Sequence, residues 1–277
     1  MSAARVPASL VQAIEPFPEL AVAVSGGVDS MVLAHAVHDH TATRLVAFHA
    51  VSPAVPAAAT ARVEAHAARH GWELHLVDAE ELADPSYRAN PVDRCFWCKA
   101  SLYGRIRRQT ALPMASGTNL DDLGDYRPGL DAARRHAVAH PFVTAGLTKA
   151  DVYALADVLG LDDLAALPAQ PCLASRIETG IGVDAATLAF IERAEVRLAA
   201  LLPELRTLRC RVTAGGVVVE ADPLPEAQAR VRAEAAIGAL CREASRPFAG
   251  LRAYRRGSAF LHGIAASTPT GTRARPA

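Results

Sequence analysis

A short apolar run, 20–24, leads directly into the glycine turn Ser25–Ser30 (Ser-Gly-Gly-Val-Asp-Ser), and a segment with helical periodicity, 29–38, follows. The run is typical of a buried strand and the periodic segment of a helix. Glycines let the backbone approach a ligand closely, and a helix start offers free N–H groups to an anion. The turn lacks both the Walker ending and the spaced glycines of a dinucleotide fold. It predicts a cradle for a pyrophosphate or triphosphate.

Strand-like and helix-like segments continue to alternate after this turn. Strands are predicted at 44–49, 72–77 and 112–116, and helices at 57–70 and 147–160. Such alternation predicts an α/β fold with a parallel sheet and flanking helices.

The pattern changes beyond about residue 176. Helices are predicted at 184–201 and 225–244, and strands at 206–213, 216–221 and 249–254. We therefore expect two domains, 1–176 and a smaller α+β domain at 177–264. The aperiodic segment 265–277 is predicted to be a disordered tail.

The charge balance limits the class of partner. The 277 residues include 29 basic and 29 acidic side chains, which disfavours a protein that coats nucleic acid or an anionic membrane. The chain has no apolar run of about 18 residues, and residues 1–18 lack the long apolar core typical of a secretory signal. We expect a cytoplasmic protein without a membrane partner, in which cysteines serve metal or redox chemistry rather than disulfides.

Lysine and asparagine are rare in this chain. Lys99 and Lys149 are its two lysines, and Asn90 and Asn119 its two asparagines. Where coding bias favours arginine, a surviving lysine is more often needed as lysine, because its compact ammonium acts where a guanidinium cannot.

Three cysteines are candidate metal ligands. Cys95 and Cys98 form a CxxC pair, whose spacing fits a zinc ion, an iron–sulfur cluster or a redox dithiol. Cys172 lies in a proline-framed loop, and its thiolate would make a third ligand. Three thiolates leave one iron of a cubane cluster open, and an open position can hold an exogenous sulfide. Cys210 and Cys241 are predicted to be small core residues.

These motifs resemble those of the PP-loop ATP pyrophosphatases. The turn 25–30 is similar to the loop shared by argininosuccinate, GMP and NAD synthetases and by tRNA thiolases, which split ATP between its α and β phosphates. Within that superfamily the chain resembles the LarE-type sulfur transferases from about residue 20 to 222, through SGGVDS, CFWCK, GDYRPGL, GLTKADV, PCLASRI, ERAE and RCRV. It departs from them at Leu167, where they carry a lysine, and at Arg252, where they carry an aspartate.

The resemblance implies an ATP-dependent sulfur transferase. Its substrate would be the carboxylate of pyridinium-3,5-biscarboxylic acid mononucleotide, which is adenylated and converted to a thiocarboxylate on the way to the nickel-pincer nucleotide cofactor. The implied cofactors are ATP, Mg²⁺ and a 4Fe–4S cluster on Cys95, Cys98 and Cys172 that supplies the sulfur. The expected partners are this small-molecule nucleotide substrate, an unidentified sulfide donor and further copies of the chain in a homo-oligomer.

The resemblance also assigns roles to single residues. Lys99 and Cys172 are the implied catalytic residues. The candidates for binding substrate phosphate are Arg209 and Arg211, which share one face of a predicted strand, and Arg176. The implied ATP- and pyrophosphate-binding residues are Ser25, Gly26, Gly27, Asp29, Ser30 and Asn119. Carboxylates beside the phosphates suit magnesium, and the candidates are Asp122 and Asp125.

Two other functions fit the same motifs. A cluster-dependent tRNA thiolase would use the same loop and three thiols, but an RNA partner usually requires a basic surface. A zinc-binding regulatory protein would keep the nucleotide fold without catalysis.

Overall fold

The computed structural model describes residues 6–124, 127–205, 207–255 and 257–259. The predicted tail, 265–277, and the magnesium candidate Asp125 lie outside these ranges.

The larger part of the described chain is built on a parallel sheet. Its five strands are β1 (Glu19–Ala23), β2 (Arg44–Val51), β3 (Glu73–Asp78), β4 (Met114–Ser116) and β5 (Val138–Ala139), in the order β3-β2-β1-β4-β5. All four pairings are parallel. Since β1 pairs with β2 on one side and with β4 on the other, the chain changes direction across the sheet between β1 and β4. Such a switch point creates a crevice at the carboxyl ends of the two strands.

Helices cover both faces of this sheet. They are α1 (Ala8–Ile14), α2 (Val28–His40), α3 (Ala57–His70), α4 (Pro85–Arg88), α5 (Arg94–Gln109), α6 (Pro128–Arg135), α7 (Pro141–Thr144), α8 (Lys149–Val158) and α9 (Asp162–Ala165). Side chains of β1 alternate between the two covered faces. Leu20 and Val22 pack in the core that contains α2 and α8, and Ala21 and Ala23 pack in the core that contains α5 and α6.

A smaller mixed sheet follows. Its strands are β6 (Thr207–Thr213), β7 (Gly216–Asp222) and β8 (Phe248–Ala253), flanked by α10 (Ala185–Leu201) and α11 (Ala227–Glu243). Strands β6 and β7 are antiparallel, whereas β7 and β8 are parallel. Cys210 and Cys241 are buried in the core of this sheet, as predicted.

The predicted α/β class is therefore confirmed. No element was predicted over residues 94–109, which form α5 and carry the CxxC pair within its first two turns. The helix predicted at 147–160 is α8, and Thr148 caps it through a capping box in which its side chain accepts a hydrogen bond from the Asp151 amide. Among the described helices, none is both long and apolar enough to cross a lipid bilayer.

Candidate functional site

The glycine turn Ser25–Ser30 lies at the carboxyl end of β1 and leads into α2. Ser30 closes the turn, because its hydroxyl accepts a hydrogen bond from the Ser25 amide at 2.9 Å and donates to the Gly27 carbonyl at 3.1 Å. Gly26 has a φ of +78°, and a Cβ there would lie 2.6 Å from the Ala59 carbonyl oxygen. Both the left-handed conformation and the close approach to α3 therefore require glycine at this position.

Asp29, on the first turn of α2, is held by two side chains from elsewhere in the chain. Asn119 donates to one carboxylate oxygen at 3.0 Å, and the Lys149 ammonium lies 2.5 Å from the other. Lys149 is thus brought to the start of α2, where the helix dipole already favours an anion. The rarity of lysine singled out Lys149 in the sequence, but no motif there gave it a role.

The segment after β4 packs directly against the start of α2. A Cβ on Gly117 would lie 2.6 Å from the Asp29 carbonyl carbon and 2.7 Å from the Ser30 amide nitrogen. The neighbouring Ser116 hydroxyl lies 3.0 Å from Nδ1 of His140, at the end of β5. The carboxyl ends of β1, β4 and β5 therefore converge on one polar edge of the sheet.

The candidate magnesium ligand Asp122 is already engaged. One of its oxygens accepts a hydrogen bond from the Asn119 amide at 3.1 Å, and the other lies 2.9 Å from the Arg127 guanidinium. Each oxygen keeps a second lone pair, so a magnesium ion at Asp122 would share the carboxylate with Arg127 or displace it.

The three predicted cysteine ligands lie in one region. Cys95 is exposed, and Cys98 and Cys172 are half-buried. Desolvation, followed by repulsion from Cys172, raises the pKa of the Cys95 and Cys98 thiols, so the three sulfurs are within electrostatic reach of one another. As free groups these two thiols are neutral at pH 7, and a bound cation would be needed to hold them as thiolates.

Lys99 is half-buried on α5 beside these cysteines. Its pKa is raised, first by Tyr103 and then, against the effect of burial, by Cys98 and the other two thiols. Its ammonium lies 5.7 Å from the centre of the Tyr103 ring. Lys99 also acts on His140, since burial lowers the pKa of that histidine, the Asp122 carboxylate raises it, and Lys99 lowers it further. The charge of Lys99 therefore acts both on the cysteine region and on His140 at the polar edge of the sheet.

Gly129 explains how the motif GDYRPGL contributes to this region. A Cβ at Gly129 would lie 3.2 Å from the Lys99 side chain and 3.6 Å from the Cys95 carbonyl oxygen. Glycine thus lets α6 approach α5 closely at Lys99.

Several buried polar atoms around the cysteines have no hydrogen-bond partner within the described chain. They include Tyr87 Oη, Arg94 Nη2 and Trp97 Nε1. Burial raises the pKa of Tyr87, and Cys172 and Cys98 raise it further, which places the phenol close to those thiols. Unpaired buried donors are costly unless an acceptor reaches them. Their clustering here fits a bound acceptor such as an anion or inorganic sulfide.

The three candidate phosphate-binding arginines surround the loop that carries Cys172. Arg176 forms an ion pair with Glu195 at 2.8 Å and donates to the Cys172 carbonyl at 3.2 Å. Arg211 is buried, forms an ion pair with Glu220 at 2.9 Å and donates to the Ser175 carbonyl at 3.0 Å.

Arg209 differs from the other two arginines. Among the described residues it donates only to backbone carbonyls, those of Leu208 and Ala169. Burial, and then repulsion from Arg176, lower its pKa. Its positive charge is therefore the least compensated of the three. An anion beside it would offset the free-energy cost of burying that charge.

Asn90 is a structural residue whose role no sequence motif indicated. It is buried with a φ of +53°, and its Nδ2 donates to the carbonyls of Glu178 and Ile181 at 2.9 Å each. Its Oδ1 accepts a hydrogen bond from the buried Arg94. Asn90 thus ties the start of α5 to the segment after Cys172, and the rarity of asparagine was the signal that could have identified it.

Comparison with known proteins gives three matches, and no family model matches the chain. The chain is 36% identical over 182 residues to the uncharacterized protein slr1717 of Synechocystis sp., covering 64% of this chain and 67% of that protein. It is 24% identical over 181 residues to the uncharacterized protein MJ0830 of Methanocaldococcus jannaschii, covering 64% and 68%. It is 29% identical over 159 residues to the pyridinium-3,5-bisthiocarboxylic acid mononucleotide synthase of Lactiplantibacillus plantarum, covering 56% and 58%. The third relative is distant, and its name is that of an enzyme.

Proposed function

The chain belongs to the same family as the Synechocystis protein slr1717, and we propose that it is an ATP-dependent sulfur transferase that converts a substrate carboxylate into a thiocarboxylate. The name of the distant Lactiplantibacillus relative supports pyridinium-3,5-biscarboxylic acid mononucleotide as the substrate. The observation that carries the proposal is the position of Lys99, which directly follows the CxxC pair on α5 and packs against Gly129 of α6. From there its charge also lowers the pKa of His140 at the polar edge of the sheet.

The polar edge has the groups that adenylation requires. The pyrophosphate of ATP would bind at Ser25–Ser30, with the α2 dipole and Lys149 beside it. A carboxylate oxygen of the substrate would attack the α-phosphorus, and the bond from that phosphorus to the bridging oxygen would break to release pyrophosphate. Asp29 holds Lys149 at this edge at 2.5 Å, so the cation is oriented before ATP arrives. Asp122 remains our candidate magnesium ligand.

The cysteine region fits a multi-iron cluster better than a single zinc ion. Thiolates on one tetrahedral zinc lie about 3.8 Å apart, as Zn–S bonds of about 2.3 Å require. The sulfurs of Cys95, Cys98 and Cys172 are not among the sets within the described chain whose ligand atoms all lie within 4.8 Å of one another. A multi-iron core spreads its thiolates over several metal atoms. The unpartnered donors of Tyr87 and Arg94 could bond its inorganic sulfides.

We therefore assign Cys95, Cys98 and Cys172 as the ligands of a 4Fe–4S cluster. Such a cluster would supply the sulfur atom that replaces AMP on the activated carboxylate. Arg176 supports this site by holding the Cys172 backbone through its carbonyl. Arg209 would bind the phosphate of the substrate, because its charge is the least compensated.

Anaerobic reconstitution followed by a sulfur-transfer assay tests the proposal. We expect iron and acid-labile sulfide in the purified protein, and AMP, pyrophosphate and thiocarboxylate when ATP and the pyridinium mononucleotide are added. Parallel reactions with tRNA should give no thiolated product. Stoichiometric zinc without AMP formation would instead support a regulatory protein, and thiolated tRNA would support a tRNA thiolase.

Lys99→Ala should reduce sulfur transfer strongly while leaving the fold intact. Removal of one preorganised charge from an active site costs about 100-fold or more in turnover. The side chain is half-buried without a carboxylate partner in the described chain, so the free energy of unfolding should fall by only about 1 kcal/mol. Thiocarboxylate formation and pyrophosphate release measure the loss of turnover, and urea unfolding measures the change in stability. Unchanged pyrophosphate release would contradict the assignment of Lys99.

Lys149→Met should slow adenylation by about 100-fold, because it removes the cation at the start of α2. The Lys149–Asp29 pair is about one-third exposed on each side, so stability should change by no more than about 1 kcal/mol. Lys149→Arg is the matched control, because it keeps the charge and should recover part of the rate. Equal rates of pyrophosphate release in the wild type and the methionine variant would refute a role for this cation.

A further inference from the structure

Three histidines meet between α2 and α3, outside the site described above. His35 lies on α2, and His66 and His70 lie one turn apart on α3. One ring nitrogen from each lies within 4.8 Å of the other two. His35 and His66 are buried and His70 is half-buried. In the described chain this is the one set of three potential ligands that meets this distance.

Carboxylates orient two of the rings from outside. His35 Nδ1 lies 3.0 Å from an Asp39 oxygen, and His66 Nε2 lies 2.9 Å from an Asp163 oxygen. Both aspartates are substantially exposed, and a carboxylate can only accept hydrogen bonds. The ring nitrogens that face them must therefore carry the protons.

The opposite nitrogens of these two rings face each other. His35 Nε2 and His66 Nδ1 are 2.9 Å apart. A neutral imidazole carries one N–H, so with the outer nitrogens protonated both inner nitrogens present lone pairs. Two lone pairs at this distance repel unless a cation lies between them or beside them. On one tetrahedral ion with bonds of about 2.0–2.1 Å, the two nitrogens would be about 3.4 Å apart, which requires only a small outward shift.

We propose that His35, His66 and His70 form a binding site for one late first-row divalent metal ion such as Zn²⁺. Imidazole is a preferred ligand of these ions. Asp39 and Asp163 act as the outer carboxylates that commonly orient metal-binding histidines. The partial exposure of His70 gives the ion a route from solvent. Three histidine ligands leave the fourth position of a tetrahedral ion for water.

An ion at this site would stabilise the two helices that contact the glycine turn Ser25–Ser30. Arg62, one helical turn before His66 on α3, donates to the Gly26 carbonyl at 2.7 Å. An ion that joins α2 to α3 would fix the position of α2, which follows the glycine turn, relative to α3, which contacts the turn through Arg62. The proposal does not depend on the sulfur-transfer function, since it rests on the histidines and aspartates alone.

A cobalt titration tests the site in the full-length chain with Cys95, Cys98 and Cys172 replaced by serine. We expect one equivalent of Co²⁺ to give the visible bands of a tetrahedral ion without a thiolate charge-transfer band. Zn²⁺ should displace it, and that competition gives the zinc affinity. Absence of the tetrahedral bands would overturn the proposal and leave a proton as the shared cation.

Variants in the same background assign the ligands. His70→Gln and His66→Gln should weaken Zn²⁺ binding by about 100-fold or more, and Asp163→Asn by about 10–100-fold, as is usual for an outer carboxylate. His40→Gln, at an exposed histidine on α2, is the matched control and should bind like the parent. His70 and Asp163 are partly exposed, so their variants should fold even if His66→Gln does not. Parental zinc affinity in both of them would overturn the proposal.

Discussion

Replacing Gly117 with alanine should reduce pyrophosphate release by about 100-fold or more. The new Cβ would lie 2.6–2.7 Å from backbone atoms of Asp29 and Ser30, which cannot rotate away as a flexible side chain can. The segment after β4 would have to separate from the start of α2. A displacement of about 1 Å in an active site can cost about 100-fold in rate. Overpacking of this kind also costs about 1–3 kcal/mol of stability.

Gly124→Ala is the matched control for this substitution. Gly124 lies in the same polar loop with a φ of −80°, and a Cβ there would come no closer than 3.8 Å to any atom outside its immediate neighbours. It should leave both rate and stability close to wild type. Calorimetric ATP binding gives a second measurement that does not depend on the acceptor substrate. A folded Gly117→Ala protein with normal ATP binding and turnover would show that the contact between β4 and α2 does not shape the site.

Glu220→Gln should lower the free energy of unfolding by about 3 kcal/mol. Glu220 is fully buried, and its carboxylate binds Arg211 at 2.9 Å, Arg252 at 2.9 Å and Ser258 at 2.9 Å. Removing the charge leaves the buried Arg211 without its counter-ion, which typically costs about 3–5 kcal/mol. Glu234→Gln is the matched control, because its pair with Arg230 is exposed and contributes about 0.3–0.5 kcal/mol. Equal losses in the two variants would contradict the prediction.

Acid should remove the contribution of Glu220. Burial raises its pKa, but the hydrogen bonds from Arg211, Ser258 and Arg252 outweigh burial and hold the pKa below the ordinary 4.5. A lowered folded-state pKa stabilises the protein above the unfolded-state value, and this stabilisation is lost as the pH falls through the folded-state value. The difference in unfolding free energy between wild type and Glu220→Gln should therefore be constant near neutral pH and narrow below pH 4.5. Urea unfolding across this range measures it.

The parallel sheet and the glycine turn could be predicted from sequence because their signals are local. The apolar run before Ser25 and the helical period after it depend on neighbours a few residues away. The stop of α3 at Gly71, which adopts a φ of +70°, is local in the same way. The CxxC helix α5 was not predicted, although its buried residues Leu102, Tyr103 and Ile106 follow a helical spacing. Its packing partners lie in α6 and β3, which are distant in sequence from its first turn.

The interpretation of the arginines shows why partners cannot be predicted from spacing. Alternation along a strand correctly suggested that Arg209 and Arg211 share a face. It could not show that Glu220, opposite Arg209 in the sheet register, pairs its carboxylate with Arg211 instead. Arg252, which departs from the resembled family, supplies the second cation to the same carboxylate.

The sequence by itself determined the α/β class, the turn that requires Gly26, and the set of cysteines that could bind a metal. Only the tertiary structure decided that Lys149 reaches Asp29 across 120 residues, that Gly117 must lack a side chain, and that three histidines converge. The physical reason is that propensity and periodicity act between neighbours in the chain. Ion pairs, close backbone contacts and ligand sets depend instead on the order of the strands and on which helices pack side by side.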